Sequence, residues 1–275
     1  ASQVAVDWVI ERARRRGLRV TLLTAYDVFA GDPIVVEGIL QRTATRISAA
    51  APGTEVEITF APLPVAGRLV ALSAVSDLLV IGSHPRRRLR SALTGSLPAS
   101  IVTRSHCATV VVPDDWRPGG DRIVLGVDDD DSSDAAVGFA AREAGVGGVP
   151  LDIVHVWEMP LPAVDAVAAL IVGPERMEEV HAEVLGALEA RLGAEAPGVE
   201  VRSRLRYGRE APELDHAVDS AALLVLGTHG HGPVAGALLG STVQQLLHHG
   251  RVPIAVVPPT AAVAARPERR TSSHV

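Results

Sequence analysis

A run of apolar residues, Leu223-Leu224-Val225-Leu226, leads into Gly227 and is followed after a spacer by Gly240-Ser241-Thr242. The same frame occurs earlier as Leu78-Leu79-Val80-Ile81-Gly82, then Gly95-Ser96. A constant spacing of 145 residues relates Gly82 to Gly227 and Gly95 to Gly240. It also relates Ala51-Pro52-Gly53 to Ala196-Pro197-Gly198 and Val111-Val112-Pro113 to Val256-Val257-Pro258. Upstream the spacing falls to 131, which joins Ala5-Val6 to Ala136-Val137 and the apolar runs at 20–26 and 151–157. The second copy therefore holds 14 extra residues, around Met159 to Val172. A fixed period of this kind marks internal repetition, so the chain must build one unit twice.

The phasing leaves one strand without a counterpart. Copy two opens with a strand and its loop, Ile123-Val124-Leu125-Gly126-Val127-Asp128. At a spacing of 131 the equivalent residues fall before Ala1, so copy one is expected to begin at its first helix. Its sheet is then expected to carry a slot edged by unpaired backbone groups, which are costly to bury. A truncated or mis-started chain is the expected reason.

Each copy alternates short β-branched runs with helical patterns, the signature of a parallel sheet with helices on both faces. In copy two the expected strands are 123–127, 151–156, 199–205, 223–226 and 254–257. The expected helices start near Ser132 or Ser133, at Pro174, at Pro212 and at Ser241, and run to Gly145, Leu192, a short stop and His249. Proline suits a first helical turn and glycine a helix end. Two tandem, doubly wound, open parallel five-stranded sheets follow, the first lacking its opening strand. Copy one is assigned to residues 1–118 and copy two to 119–259, joined by a linker at 114–120; residues 260–275 read as a disordered tail.

Composition excludes several classes. At 275 residues with 47% hydrophobic content, two ordinary cores can form. No apolar stretch approaches the roughly 20 residues that span a bilayer, and nothing resembles a signal peptide, so a cytoplasmic protein without membrane contact is expected. The single cysteine, Cys107, precludes an internal disulfide and reads as a small core hydrophobe. Every basic residue is arginine, which removes the P-loop lysine of Walker-type NTPases. Residues 1–118 carry 14 arginines against 10 acids, whereas the remainder carries 12 against 22. Arg12, Arg14, Arg15, Arg16 and Arg19 are expected to close the first helix, complementing its dipole. With aromatics at 3% and no recognised motif, nucleic-acid binding is not expected.

Glycine lets backbone amides approach a phosphate, and a helix N-terminus presents orphan N–H donors in the same direction. Written as a pattern, copy two reads Gly227-x2-Gly230-x9-Gly240-Ser241. With Gly126-Val127-Asp128, His155-Val156-Trp157, Tyr207-Gly208 and Ala211-Pro212, it resembles the universal stress protein family, in the branch that binds ATP through Gly-x2-Gly-x9-Gly-Ser/Thr. The resemblance spans nearly the whole chain as a tandem pair and implies the adenine nucleotide alpha hydrolase-like fold. It further implies that Val127 and Asp128 meet the adenosine and that Val156 lines the adenine pocket through its backbone. By the same resemblance Leu226 and Gly227 flank the ribose, while Gly230, Gly240, Ser241 and Thr242 hold phosphates. Magnesium would arrive on the ATP phosphates. Copy one departs, with Pro85 at the second glycine, so Gly82, Gly95 and Ser96 form at most a weaker second site.

Other chemistry is thin. Asp128 to Asp131 lie before a helix, where its dipole favours acids, and direct metal ligation is not expected. His229 and His231 fall in the phosphate loop and His248 and His249 at a helix end, without the spacing of a zinc site. No Gly-x-Ser-x-Gly elbow occurs, and no catalytic residue is assigned. The expected function is an ATP-binding, stress-responsive regulator with at most slow hydrolysis. Its alternatives are a nucleotide-free interaction protein and an adenylyl- or phosphoryl-transfer enzyme. The expected assembly is an internal pseudo-dimer through 109–112 and 254–257, with homodimerisation open.

Overall fold

The structure, a computed structural model, describes residues 2–26, 33–83, 97–128, 134–159, 173–228 and 239–259. Copy one runs α1 (Ser2–Arg15), β1 (Arg19–Tyr26), α2 (Pro33–Ala50), β2 (Glu55–Pro62), α3 (Val65–Ser73), β3 (Leu78–Ser83), α4 (Leu97–Val102) and β4 (Ala108–Pro113). Copy two runs β5 (Arg122–Val127), α5 (Asp134–Gly147), β6 (Leu151–Trp157), α6 (Pro174–Glu195), β7 (Val201–Tyr207), α7 (Glu210–Ala217), β8 (Ala221–Gly227), α8 (Ser241–His249) and β9 (Ile254–Val257). Several bounds differ from expectation. Pro212 is the third residue of α7 rather than its first, β7 starts at Val201, and Arg19 opens β1 instead of closing α1.

The strands form one seven-stranded sheet, β3-β4-β9-β8-β5-β6-β7, and a separate pair, β1-β2. Copy two alone contributes the order β7-β6-β5-β8-β9, all parallel, which is the expected doubly wound unit. In copy one β1 pairs with β2 and β3 with β4, and among the described residues no ladder joins the two pairs. The two copies share a sheet rather than forming two.

Side chains alternate across this sheet, as period-2 geometry requires. Ile123, Leu125, Leu151, Ile153, Leu223, Val225 and Ala255 face a layer made by α1, α5 and α6. Val124, Val154, Val156, Leu224, Leu226, Ile254 and Val256 face α4, α7 and α8. Both faces are covered, so central strands read as unbroken apolar runs. Cys107 is buried just before β4, and burial pushes its thiol pKa up, as expected of a core cysteine.

The join between copies is antiparallel and symmetric. β4 pairs with β9 through Thr109↔Val256, Val110↔Ala255 and Val111↔Ile254. Val110 and Ala255 are equivalent positions at the 145-residue spacing, so a pseudo-two-fold axis passes between them. A second contact lies on the same axis. Arg12 of α1 grips Glu143 of α5 with Nε to Oε2 at 2.9 Å and Nη2 to Oε1 at 2.5 Å, and the two side chains are only 11% and 9% exposed. These too are equivalent positions, at the 131-residue spacing.

Candidate functional site

In copy two β5 leads to β6 on one side, whereas β8 lies against its other side. The chain therefore reverses its winding between β5 and β8, and ligands of open α/β sheets bind in the crevice beyond the carboxyl ends at such a point. Val127 ends β5 and Asp128 follows it; Gly227 ends β8. Leu226, just inside that end, is buried against α7 and α8. Gly240 is the N-cap of α8, with Ser241 and Thr242 as its first two residues. Thus Val127, Asp128, Leu226 and Gly227 lie at the carboxyl ends of β5 and β8, and Gly240, Ser241 and Thr242 at the start of α8. Gly230, His229, His231 and Asp129 to Asp131 lie outside the described residues, as do Gly95 and Ser96 of the weaker site. Its remaining member, Gly82, sits in β3.

Local chemistry suits an anion. Gly240, the N-cap of α8, has no side chain with which to cap the helix, whose first amides have no intrahelical acceptor and point along the axis. Gln244 N–H closes the first turn on the Gly240 carbonyl at 3.0 Å. At Gly227 a Cβ would meet nothing within 4 Å among the described residues, so the end of β8 borders open space. Gly126 behaves oppositely: a Cβ there would stand 2.6 Å from Leu226 Cδ2 and 3.3 Å from Leu214 Cδ2. Its role is close packing of β5 beneath α7.

Val156 occupies a distinct place. The β5–β6 ladder ends at Val127↔His155, one residue short of Val156, while β6 continues against β7 to Trp157↔Tyr207. On the β5 side the main chain at Val156 thus extends past the last rung of that ladder.

Three features were not expected from the sequence. Thr242 donates its hydroxyl to the Glu210 carboxylate at the start of α7. His155, buried in β6, places Nδ1 3.1 Å from the Val127 carbonyl and Nε2 2.9 Å from His181 Nδ1. Trp157 stacks on His181 with ring centroids 5.3 Å apart and meets Tyr207 edge-on at 4.9 Å. The histidine pair ties β6 and α6 to the last residue before Asp128. The i, i+4 spacing of His181 with Leu185, and of Leu188 with Leu192, could have marked His181 as part of α6's buried stripe. His155→Phe keeps a flat ring in β6 but removes both of these hydrogen bonds, and thermal unfolding should register a loss of about 1–3 kcal/mol. His248 and His249 are exposed in the last turn of α8, their rings 6.4 Å apart. Among the described residues no group of three or more His, Cys, Asp or Glu side chains could hold a metal ion. No helix among them is long and apolar enough to cross a membrane.

The universal stress protein family model matches residues 1–113 and again 120–258, and the chain belongs to that family, in tandem form. Universal stress protein Rv2005c of Mycobacterium tuberculosis is 32% identical over 209 residues, covering 73% of this chain and 67% of that protein. Universal stress protein Rv2623 of the same organism is 26% identical over 281 residues, covering 93% and 92%. The crystal structure of a universal stress protein from Archaeoglobus fulgidus matches with a TM-score of 0.65 at 19% identity over 91% of each chain, a likeness of fold.

Proposed function

We propose that this universal stress protein is a cytoplasmic, stress-responsive regulator that binds one ATP in copy two, residues 119–259. What supports the reading is the set of elements at the carboxyl end of copy two's sheet: the ends of β5 and β8 on either side of the winding reversal, the last residues of β6 beyond the β5 ladder, and a helix, α8, that starts at Gly240. Adenine would lie along the Val156 main chain, with Asp128 on the ribose or base. Leu226 and Gly227 would flank the sugar. The amides at 240–242, with Gly230, would take the phosphates, and Mg2+ would come with them, retaining most of its waters. Copy one, residues 1–118, would act as structural partner, its Gly82, Gly95 and Ser96 forming at most a weaker site.

Binding rather than turnover is the proposed activity. Rapid hydrolysis calls for a positioned water and concentrated positive charge at the γ-phosphate. Among the described residues the Glu210 carboxylate, an anion, touches α8's first turn. Because that anion competes with phosphate for the same helix start, Glu210→Gln should tighten ATP binding by about threefold to tenfold, read by isothermal titration. The central test is mass spectrometry of ligand released from purified protein, combined with equilibrium dialysis against ATP. One adenine nucleotide per chain supports the reading. A protein that retains none and takes up no ATP in dialysis is instead a nucleotide-free interaction module.

A further inference from the structure

We infer that the cavity between α1, α2 and the segment joining the two copies binds a small apolar molecule that bears one carboxylate. The inference is independent of nucleotide binding in copy two. The cavity measures about 340 Å³, within the range of about 300–1,000 Å³ that holds small ligands. From α1 come Asp7, Ile10, Glu11 and Arg14, a single stripe at helical spacing, and from the last two turns of α2 come Arg46 and Ala50. Trp116 and Arg117, in the stretch between β4 and β5, complete the walls. Among the described residues no strand lines the cavity, those of β1 and β3 included.

Part of the wall is apolar and fixed. Ile10 and Trp116 are 5% and 9% exposed, and Trp116 belongs to the same core layer as Ala5 and Trp8 of α1. A ring or short alkyl body placed against them loses water-exposed apolar surface, which favours binding. The polar part holds three guanidinium groups against two carboxylates. Arg46 pairs with Asp7 and donates to Gln3 Oε1 at 2.9 Å, while Arg14 pairs with Glu11 and donates to the Ala50 carbonyl at 3.2 Å. Arg117 pairs with no carboxylate among the described residues. Its Nη1 donates to the Trp116 carbonyl at 2.9 Å, which leaves Nε and Nη2, the adjacent donors that grip a carboxylate in bidentate fashion. One uncompensated cation calls for one negative charge on the ligand. Asp7 and Glu11 repel a second, which sets polyphosphates apart. Copy two does not repeat this set. At the repeat spacings Asp7, Ile10, Glu11 and Arg14 become Gly138, Ala141, Arg142 and Gly145, and Ala50 becomes Glu195. Arg191, the counterpart of Arg46, pairs with Asp134.

The test is isothermal titration of the purified chain with phenylacetate, hydrocinnamate and hexanoate, each compared with its neutral amide. At least one acid should bind once per chain, and its amide should bind at least about tenfold more weakly. Saturating ATP should leave that affinity unchanged, because the cavity shares no residue with the ends of β5 and β8 or the start of α8. Arg117→Gln, at an exposed position, should abolish the preference for acid over amide. Ala50→Phe, with native circular dichroism, should fill the cavity and abolish binding. If that variant fails to fold, Arg117→Gln decides. Failure of all three acids to bind, equal affinity for acid and amide, displacement by ATP, or indifference to Arg117→Gln overturns the proposal.

Discussion

Gly227→Val should cost copy two at least about a hundredfold in ATP affinity, roughly 2.7 kcal/mol, while leaving the fold standing. Gly227 ends a strand, where β-branched residues fit the backbone well. Its φ is not among the positive values in the chain, and a Cβ placed there touches nothing within 4 Å among the described residues. A Cβ is therefore accommodated among the described residues, and the branched side chain would project at the carboxyl end of β8, where the proposed nucleotide lies. Gly240→Val should act similarly, since the N-cap φ of −54° and ψ of 148° are open to any residue. There the branched side chain would crowd the amides of α8's first turn. Two outcomes separate the readings in equilibrium dialysis. Wild-type uptake lost in both variants supports the crevice as the ATP site. Undiminished uptake by Gly227→Val, with an unchanged melting temperature, removes it.

The elements that carry the proposed site could be read in sequence because their signals are local. A strand that ends in glycine and a helix that starts at Gly240-Ser241 are short-range patterns, and α8 and β9 fall where those patterns put them. Long-range pairings were not legible. Arg12 looked like a cation complementing a helix dipole, yet its partner stands 131 residues away on α5. Glu210 and Thr242 come from different helices, and nothing in either segment announces the bond. The single seven-stranded sheet was foreseen only as a pairing of 109–112 with 254–257, because apolar run and edge strand look alike until a partner is known. Pro212 misled for a simpler reason: proline is tolerated throughout a first turn, where amides lack intrahelical acceptors.

The second large effect concerns the pseudo-two-fold axis. In a dimer of identical copies, a residue on the axis meets itself, so a charge there would face its like. This chain carries Glu11-Arg12 in copy one and Arg142-Glu143 at the equivalent positions of copy two, an inversion of charge order. Divergence after duplication has thus turned a self-facing position into the bidentate Arg12–Glu143 pair, almost wholly buried. Nearby Arg142, whose pKa is lowered chiefly by burial and further by Arg16 and Arg12, adds to the positive side of this cluster. Reversing one partner buries two like charges. Glu143→Arg, or Arg12→Glu alone, should each cost about 3–5 kcal/mol in urea unfolding, because an uncompensated buried charge is left behind. The double variant Arg12→Glu/Glu143→Arg restores the opposite pairing on the same axis and should recover most of that loss. A double variant as unstable as the two single losses added together would mean that the pair is incidental to how the copies recognise each other. Recovery would make it the residue-level reason that copy one joins copy two rather than a second copy of itself.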